Sequence, residues 1–448
     1  IGVVTDTGRM VVKHHGRVVA DIPAKKIANE SPVYERASRE PAYLAAVRAF
    51  TLAGIADLQD PTEALLQLLR QPTLASKNWV YRQYDHMVRN GSVVCPGSDA
   101  AVIRIKADSL PPAPAGTANP PPFLDRFVAL TCDCNATYVY LDPYEGGKIA
   151  VAEAARNLAC SGATPLGVTD NLNFGNPYNP ELFWQLKESV RGLAEACRAL
   201  NTPVTGGNCS LYNQSPGGAI DPTPTVAMVG RIEKPEQITT QWFKDEGDAI
   251  ILLGEIADRD DPLQGLGGSA YLQTLHGLKT GRPPRCDLEK ARTLHEAIRS
   301  LIYGGEVKSA HDCSEGGLAV ALAECCISQP VARETPRCIG AQIDLSECET
   351  PAQSTPTAPS TAAASAPTTP LRLAALLFGE TQHRILITTA PLHATKVMEQ
   401  AKILGVPARK VGVVGGDRLH IKTTAGQWAW SVAELYDGWW NAIARAMA

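Results

Sequence analysis

Between Pro180 and Leu200, apolar residues recur at Leu182, Leu186, Val190, Leu193, Cys197 and Leu200. That spacing follows the 3.6-residue period of an α-helix and predicts a single core-facing stripe. Asn201 ends the run, and Pro203-Val204-Thr205 opens a strand. A long amphipathic helix that feeds directly into a strand calls for an architecture of helices packed on sheet.

The same alternation runs through the rest of the chain. Strands are predicted near Ala100–Ile105, Phe127–Thr131 and Thr225–Ile232, and a small-residue helix over Glu145–Ser161 that stops at Gly162. A second unit begins around Gln241, with a buried strand over Asp248–Gly254. Helices follow at Leu288–Tyr303 and Leu318–Ser328, then a strand at Arg384–Thr388 and a helix at His393–Leu404. A strand at Arg409–Val414 and a helix from Ser431 close the chain. The expected fold class is α/β (α+β) in both units.

At the other end, Ile1–Ala20 reads as a hairpin turning at Thr5-Asp6-Thr7-Gly8. Twenty residues of hairpin cannot bury a core alone, so they look like the end of a preceding domain. The Asp21-Ile22-Pro23 and Ser31-Pro32-Val33-Tyr34 stretches read as extended connector. Pro41–Arg70 turns helical. The expected organisation is a tail and connector over 1–38, a first domain over 39–238 and a second over 239–448. Ser109–Pro122 reads as a Pro/Ala loop. Thr350–Pro370, made only of Thr, Pro, Ala, Ser and Gln, reads as a disordered surface insertion.

Composition narrows the function classes. The 448 residues carry 42 Lys and Arg against 46 Asp and Glu, a formal charge of -4. That balance argues against a dedicated nucleic-acid or membrane-surface binder, which needs a basic patch. No basic run or long uncharged apolar stretch suggests a signal peptide or transmembrane helix. None of the 12 cysteines forms a C-x-x-C pair, so zinc spacing is missing. Most sit in apolar or small-residue contexts, as reduced thiols of a cytoplasmic protein do.

Several polar clusters interrupt the elements. Gln83-Tyr84-Asp85-His86 is followed by Pro96-Gly97-Ser98-Asp99, which can hold a ligand but which a simple turn explains better. Asp133-Cys134-Asn135 precedes Pro143-Tyr144-Glu145-Gly146-Gly147-Lys148 at a helix start. Amides of a glycine-rich turn there favour anions, and Lys148 adds a cation; a plain helix cap fits equally. In Asp170-Asn171-Leu172-Asn173, Asp170 can accept a ligand hydroxyl or a magnesium-bound water, or belong to an Asx-rich turn. In Gly206-Gly207-Asn208-Cys209-Ser210, the glycines allow close approach to a phosphate. Asn208 offers an oxygen to magnesium and Ser210 a hydroxyl. His311-Asp312-Cys313-Ser314-Glu315-Gly316-Gly317 stands before a helix, and Gly379-Glu380-Thr381-Gln382-His383-Arg384 before a strand. His311 has carboxylates near enough to act as a base, although a structural histidine is the plainer account.

In combination and order, these clusters closely resemble phosphoribosylformylglycinamidine synthase, in its small-type synthetase subunit. The segments carrying the likeness are Tyr81–Val88, Pro96–Val102, Asp142–Asn157, Asp170–Pro177, Gly206–Asn213, His311–Gly317 and Gly379–Arg384. The resemblance implies an N-type domain followed by a C-type domain, as in aminoimidazole ribonucleotide synthetase, a pair that the family carries twice. The match starts at the tail of the first C-type domain, so Ile1 is expected to mark a cut through a longer chain.

The family is a ligase of purine biosynthesis. It converts formylglycinamide ribonucleotide, ATP and ammonia to formylglycinamidine ribonucleotide, ADP and phosphate through an iminophosphate. Ammonia comes from a glutaminase subunit, and a small accessory subunit completes the complex. By resemblance, Asp170 and Gly207 match ATP-contacting positions, Asn208 a magnesium ligand and Ser210 a substrate contact. The family's base histidine lies upstream, so no catalytic residue is expected in this portion. Asn135 stands where that base would be, and Asn157 where the first half has a magnesium carboxylate. An amide is no base at neutral pH. Asp133, Asn135, Lys148 and Asn157 are therefore expected to form a degenerate nucleotide pocket. A purely structural half that binds nucleotide, or a stand-alone kinase or synthetase of the superfamily, are the alternatives.

Overall fold

The computed structural model describes residues 1–107, 125–328, 338–348 and 370–448. The expected loop 109–122 lies outside these residues, as does all of the expected insertion 350–370 except Pro370. The chain opens with an exposed hairpin of β1 (Arg9–His14) and β2 (Arg17–Pro23). Its turn is His15-Gly16, both at positive φ of 48° and 76°, not the expected Thr5–Gly8. Two left-handed residues give the turn whose twist matches the flanking strands, and histidine is an uncommon occupant, so the sequence signal is weak. Helix α1 (Ala24–Ile27) follows, and the connector then leads to α2 (Leu44–Ala49), α3 (Thr62–Leu69) and α4 (Asn78–Tyr81).

The first sheet runs in the order β3-β4-β5-β10-β6-β7. Its members are β3 (Ser92–Val94), β4 (Ala101–Ile105), β5 (Arg126–Asp133), β6 (Thr164–Asn173), β7 (Val204–Ser210) and β10 (Thr223–Ile232). A small hairpin, β8 (Gln214–Ser215) and β9 (Gly218–Ala219), lies outside the sheet. Alternate residues of β10, among them Val226, Met228 and Ile232, are buried. That period of two buries one face, against α6 (Pro143–Cys160) and α7 (Pro180–Ala199). A short α5 (Ala136–Leu141) precedes α6. Strands β6 and β7 pair in parallel, as the intervening α7 requires.

The expected stripe on α7 is rotated in the structure. Gln185, Ser189, Gly192, Leu193, Ala196 and Cys197 are buried, whereas Val190 is 41% exposed. Close helix packing is the reason: a Cβ on Gly192 would overlap the Tyr144 carbonyl oxygen, and one on Gly147 would press on that of Ser189. Small residues define the contact ridge, so the apolar stripe does not. The Gly146-Gly147 pair is accordingly a packing feature inside α6 rather than an anion cradle. The helix start is capped by Asp142, which accepts from the Glu145 amide at 3.1 Å.

The second sheet runs β12-β14-β11-β15-β13-β16-β17. It comprises β11 (Ala249–Leu253), β12 (Ser309–Asp312), β13 (Ala341–Asp344), β14 (Ile385–Thr389), β15 (Ala408–Val414), β16 (Arg418–Lys422) and β17 (Gln427–Ser431). Every residue of β11 and β14 is buried, since helices cover both faces. These helices are α8 (Ala270–His276), α9 (Leu288–Tyr303), α10 (Gly317–Ile327), α11 (Leu373–Phe378), α12 (Ala394–Ile403) and α13 (Val432–Met447). His311 and Asp312 end strand β12 and do not open a helix.

The cores cross the expected boundary near residue 238. Leu52, Leu65, Leu66, Leu68 and Leu69, from the segment assigned to the first domain, pack into the core of the second sheet with Leu318, Leu377 and Trp439. Ala159 and Cys160 of α6 join Leu294, Ile298 and Ile302 of α9. The 39–238 unit is thus not closed on itself. Helix propensity marks where α3 begins, but not which sheet it covers.

Candidate functional site

The four positions that the resemblance expects at the active site lie on neighbouring strands in parallel register. Asp170 pairs with Gly207, Asn171 with Asn208, and Asn173 with Ser210. Gly207 lies within β7, and only glycine fits there, because a Cβ would overlap Asp170 Oδ1. Asp170 is partly buried, which pushes its carboxyl upward. Gly206 beside it has open space where a side chain would stand.

Side chains alternate along a strand, so Asp170 and Gly207 share one face while Asn208 and Ser210 share the other. Asn208 Nδ2 lies 3.0 Å from Ser210 Oγ and 3.4 Å from Asn171 Oδ1, on that second face. Strand β7 is the edge of its sheet and is exposed from Val204 to Cys209. A ligand touching all four residues must therefore wrap the sheet edge, at Gly206-Gly207. Asn208 fits a magnesium ion as a single neutral ligand: its Nδ2 is engaged by Ser210, which leaves Oδ1 to offer.

Asp133 sits on the same cross-strand row. Val226 of β10 pairs with Asp133 on one side and with Asp170 on the other. Two strand spacings, about 10 Å, separate the two carboxylates. Asn157 Nδ2 donates to Asp133 Oδ2 at 3.4 Å. Asn135 caps α5 by accepting from the Tyr138 amide at 3.0 Å and donates to Glu315 Oε1 at 2.9 Å. Lys148 does not join them. It pairs with Glu145 at 3.2 Å and faces the Tyr144 ring, about 13 Å along α6 from Asn157.

The Asp133 end opens into a buried charge cluster between the two sheets. Arg156, with no exposed surface, donates from Nε and Nη2 to Asp312 Oδ2 at 3.1 and 3.0 Å. Glu153 lies 3.5 Å away. Burial first, and the neighbouring carboxylates next, hold Asp133 and Glu153 well above the usual carboxylate range. Glu380 accepts from the amides of Ala270 and Gly316 at 2.8 and 2.7 Å, and from the Tyr138 hydroxyl. Burial and the nearby Glu315 push it up to about 8. His311 lies between Asp99 Oδ1, 2.7 Å from Nδ1, and Glu324 Oε2, 3.1 Å from Nε2.

Sequence reasoning did not single out Glu153, Arg156, Asp312, Glu315 or Glu380 as a cluster, and it favoured a plain turn for Asp99. Their common signal is a charged residue set among small or apolar neighbours, which burial makes costly unless partners meet it. Among the described residues, no helix is long and apolar enough to cross a membrane.

Comparisons with known proteins follow the same architecture. The family model for AIR synthase related protein, N-terminal domain, matches residues 97–232, and that for the C-terminal domain matches 245–422. A phosphoribosylformylglycinamidine synthase subunit PurL from Moorella thermoacetica is 44% identical over 422 residues, covering 94% of this chain and 50% of the relative. The PurL subunit of Gloeobacter violaceus is 52% identical over 322 residues, covering 70% and 40%. The chain thus spans about half the length of the curated relatives it matches. Among solved structures, Thermotoga maritima PurL complexed with FGAR matches with a TM-score of 0.58 at 18% identity, over 84% of this chain and 54% of that one. With both domain models matched in order and PurL relatives at 42–52% identity, this chain belongs to the AIR synthase related family, among its phosphoribosylformylglycinamidine synthase PurL subunits.

Proposed function

We propose that this chain supplies one face of a composite active site in purine biosynthesis. The reaction is the ATP-dependent amidination of formylglycinamide ribonucleotide, with ammonia from a glutaminase subunit and an iminophosphate intermediate. The chain acts as part of a ligase in the cytoplasm, with the glutaminase and a small accessory subunit as partners. The observation that carries this reading is the register of Asp170 against Gly207 at an open sheet edge. The space for a side chain at 207 is taken by a carboxylate, and the backbone beside it is bare. Support also comes from relatives: Thermotoga maritima PurL has been solved with FGAR, ATP and ADP, and as PurLQS.

In this reading Asp170 accepts a nucleotide hydroxyl or a magnesium-bound water, and the Gly206-Gly207 backbone lets the phosphates approach closely. Asn208 Oδ1 would be one ligand for Mg2+, whose charge would offset that of the transferring phosphoryl group. Ser210 donates a hydrogen bond from its hydroxyl to the substrate. The base comes from elsewhere, because Asn135 cannot take a proton at neutral pH. The second pocket at Asp133, Asn135 and Asn157 has its polar atoms engaged with Glu315 and with one another, so its role here is structural.

The test combines the 448-residue chain with the remaining half of a PurL subunit and follows ammonia-dependent formation of the amidine. Turnover is expected only in the combination, with kcat/KM reduced at least about 100-fold by Asp170→Asn and by Gly207→Ala. Turnover by the chain alone would remove the composite-site reading.

A further inference from the structure

The buried cluster between the sheets contains one group that neither the reaction nor the packing of a single unit explains. The His311 ring, at the end of β12, has a carboxylate on each nitrogen. Asp99 belongs to the turn before β4 in the first unit, and Glu324 to α10 in the second. The side chains of His311 and Asp99 are only 8% and 3% exposed. A neutral imidazole carries one N–H and cannot donate to two carboxylates, whereas an imidazolium donates to both. Asp312, next in the chain, places Oδ1 3.9 Å from the same Nδ1, while its Oδ2 holds Arg156.

We propose that His311 is a positioning residue, an imidazolium clamp that joins the first unit to the second through Asp99 and Glu324. Through Asp312 and Arg156 it also fixes the end of the cross-strand row that carries Asp133, Asp170 and Gly207. This second part rests on the synthase reading of that row; the clamp itself does not. The groups facing the ring from each packed element are Asp99, Asp312 and Cys313, and Glu324 and Cys325 of α10. Lys77, after α3, stands toward Glu324, and Arg156 of α6 toward Asp312. The acids outnumber the cations, and burial raises Asp99 only to about 6, below neutrality. The ring is correspondingly held well above its ordinary value.

A folded-state pKa raised in this way stabilises the junction below the unfolded value, and the benefit is lost as pH rises through the folded one. The experiment labels the histidines of the full chain with 15N and reads the ring nitrogens from pH 6 to 10. His311, assigned with H311N, is expected to stay doubly protonated well above the pH at which an ordinary imidazole loses its proton. D99N and E324Q should each lower its midpoint by at least one pH unit, a tenfold change in proton affinity. In parallel, amide exchange of Ser309–Asp312 should speed at least tenfold above the midpoint in the wild type, and at lower pH in D99N. ATP affinity should weaken across the same pH interval, with that interval moving down in D99N.

A ring that is neutral at pH 7, or a midpoint unmoved by both variants, would overturn the clamp. So would a ring that ligates zinc added to the sample, since Asp99, His311 and Asp312 place ligand atoms within 4.8 Å of one another. If H311N does not fold, D99N and E324Q still decide, because both leave the ring in place. ATP binding that fails altogether would count against the synthase reading alone, since the ring and exchange readouts need no nucleotide.

Discussion

Arg156 has no contact with water and is met by Asp312, Glu153 and the Gln382 side chain, whose Oε1 lies 3.4 Å from Nη1. Such a group is kept because its partners need it: removing it leaves buried carboxylates without a counter-charge. Arg156→Met is expected to cost about 3–5 kcal/mol in urea unfolding. A loss below about 1 kcal/mol would show that protons, not the guanidinium, neutralise the acids around it. At this scale the sequence was informative where chemistry is local. Asp170, Gly207, Asn208 and Ser210 were singled out as polar or bare residues beside a strand, and the structure puts them in register. It was uninformative for Asp99, whose turn context is ordinary and whose partner His311 lies 212 residues away.

Elements show the same division. Helix α9 spans the expected Leu288–Tyr303, with Asp287 as its cap, and α6 ends near Gly162, at φ 83°. The face that α7 buries was misjudged, because the contact with α6 is set by backbone approach at Gly192 and Gly147 and not by the apolar residues. Gly192→Ala should therefore destabilise by about 1–3 kcal/mol, the usual penalty for overpacking. Gly206→Ala, in open space on β7, should change stability by no more than about 0.5 kcal/mol. Thermal unfolding of the two variants side by side checks the contrast; equal shifts would mean that the two helices can move apart freely.

For the whole molecule, the two units share buried apolar clusters and a buried polar one, so they should unfold together. Glu380 makes this testable. It ties Tyr138 of the first unit to the Ala270 and Gly316 amides of the second, and burial raises it from 4.5 to about 8. A carboxyl raised in the folded state binds its proton more tightly there than in the unfolded chain. Its contribution is thus most favourable below about 4.5 and is lost as pH climbs to about 8. The Tm is expected to fall over that interval as one transition, and Glu380→Gln should flatten part of the slope, leaving the share of Asp133 and Glu153. A slope unchanged in Glu380→Gln would show that this carboxyl is ionised throughout.

The sequence by itself determined the alternation of helices and strands, the fold class, the family likeness and the polar clusters around Asp170 and Gly207, though not their register. Each of these is written in short stretches of chain, through periodicity, caps, glycines and the order of polar clusters. Only the tertiary structure decided that α3 covers the second sheet, that Lys148 stands apart from Asp133, and that Asp99, Arg156, His311 and Glu380 meet in one buried cluster. The physical reason is distance along the chain. Burial and electrostatic partnership depend on which remote side chains the packing brings within hydrogen-bond reach. A charged residue looks alike in sequence whether it faces water or an opposite charge across two domains.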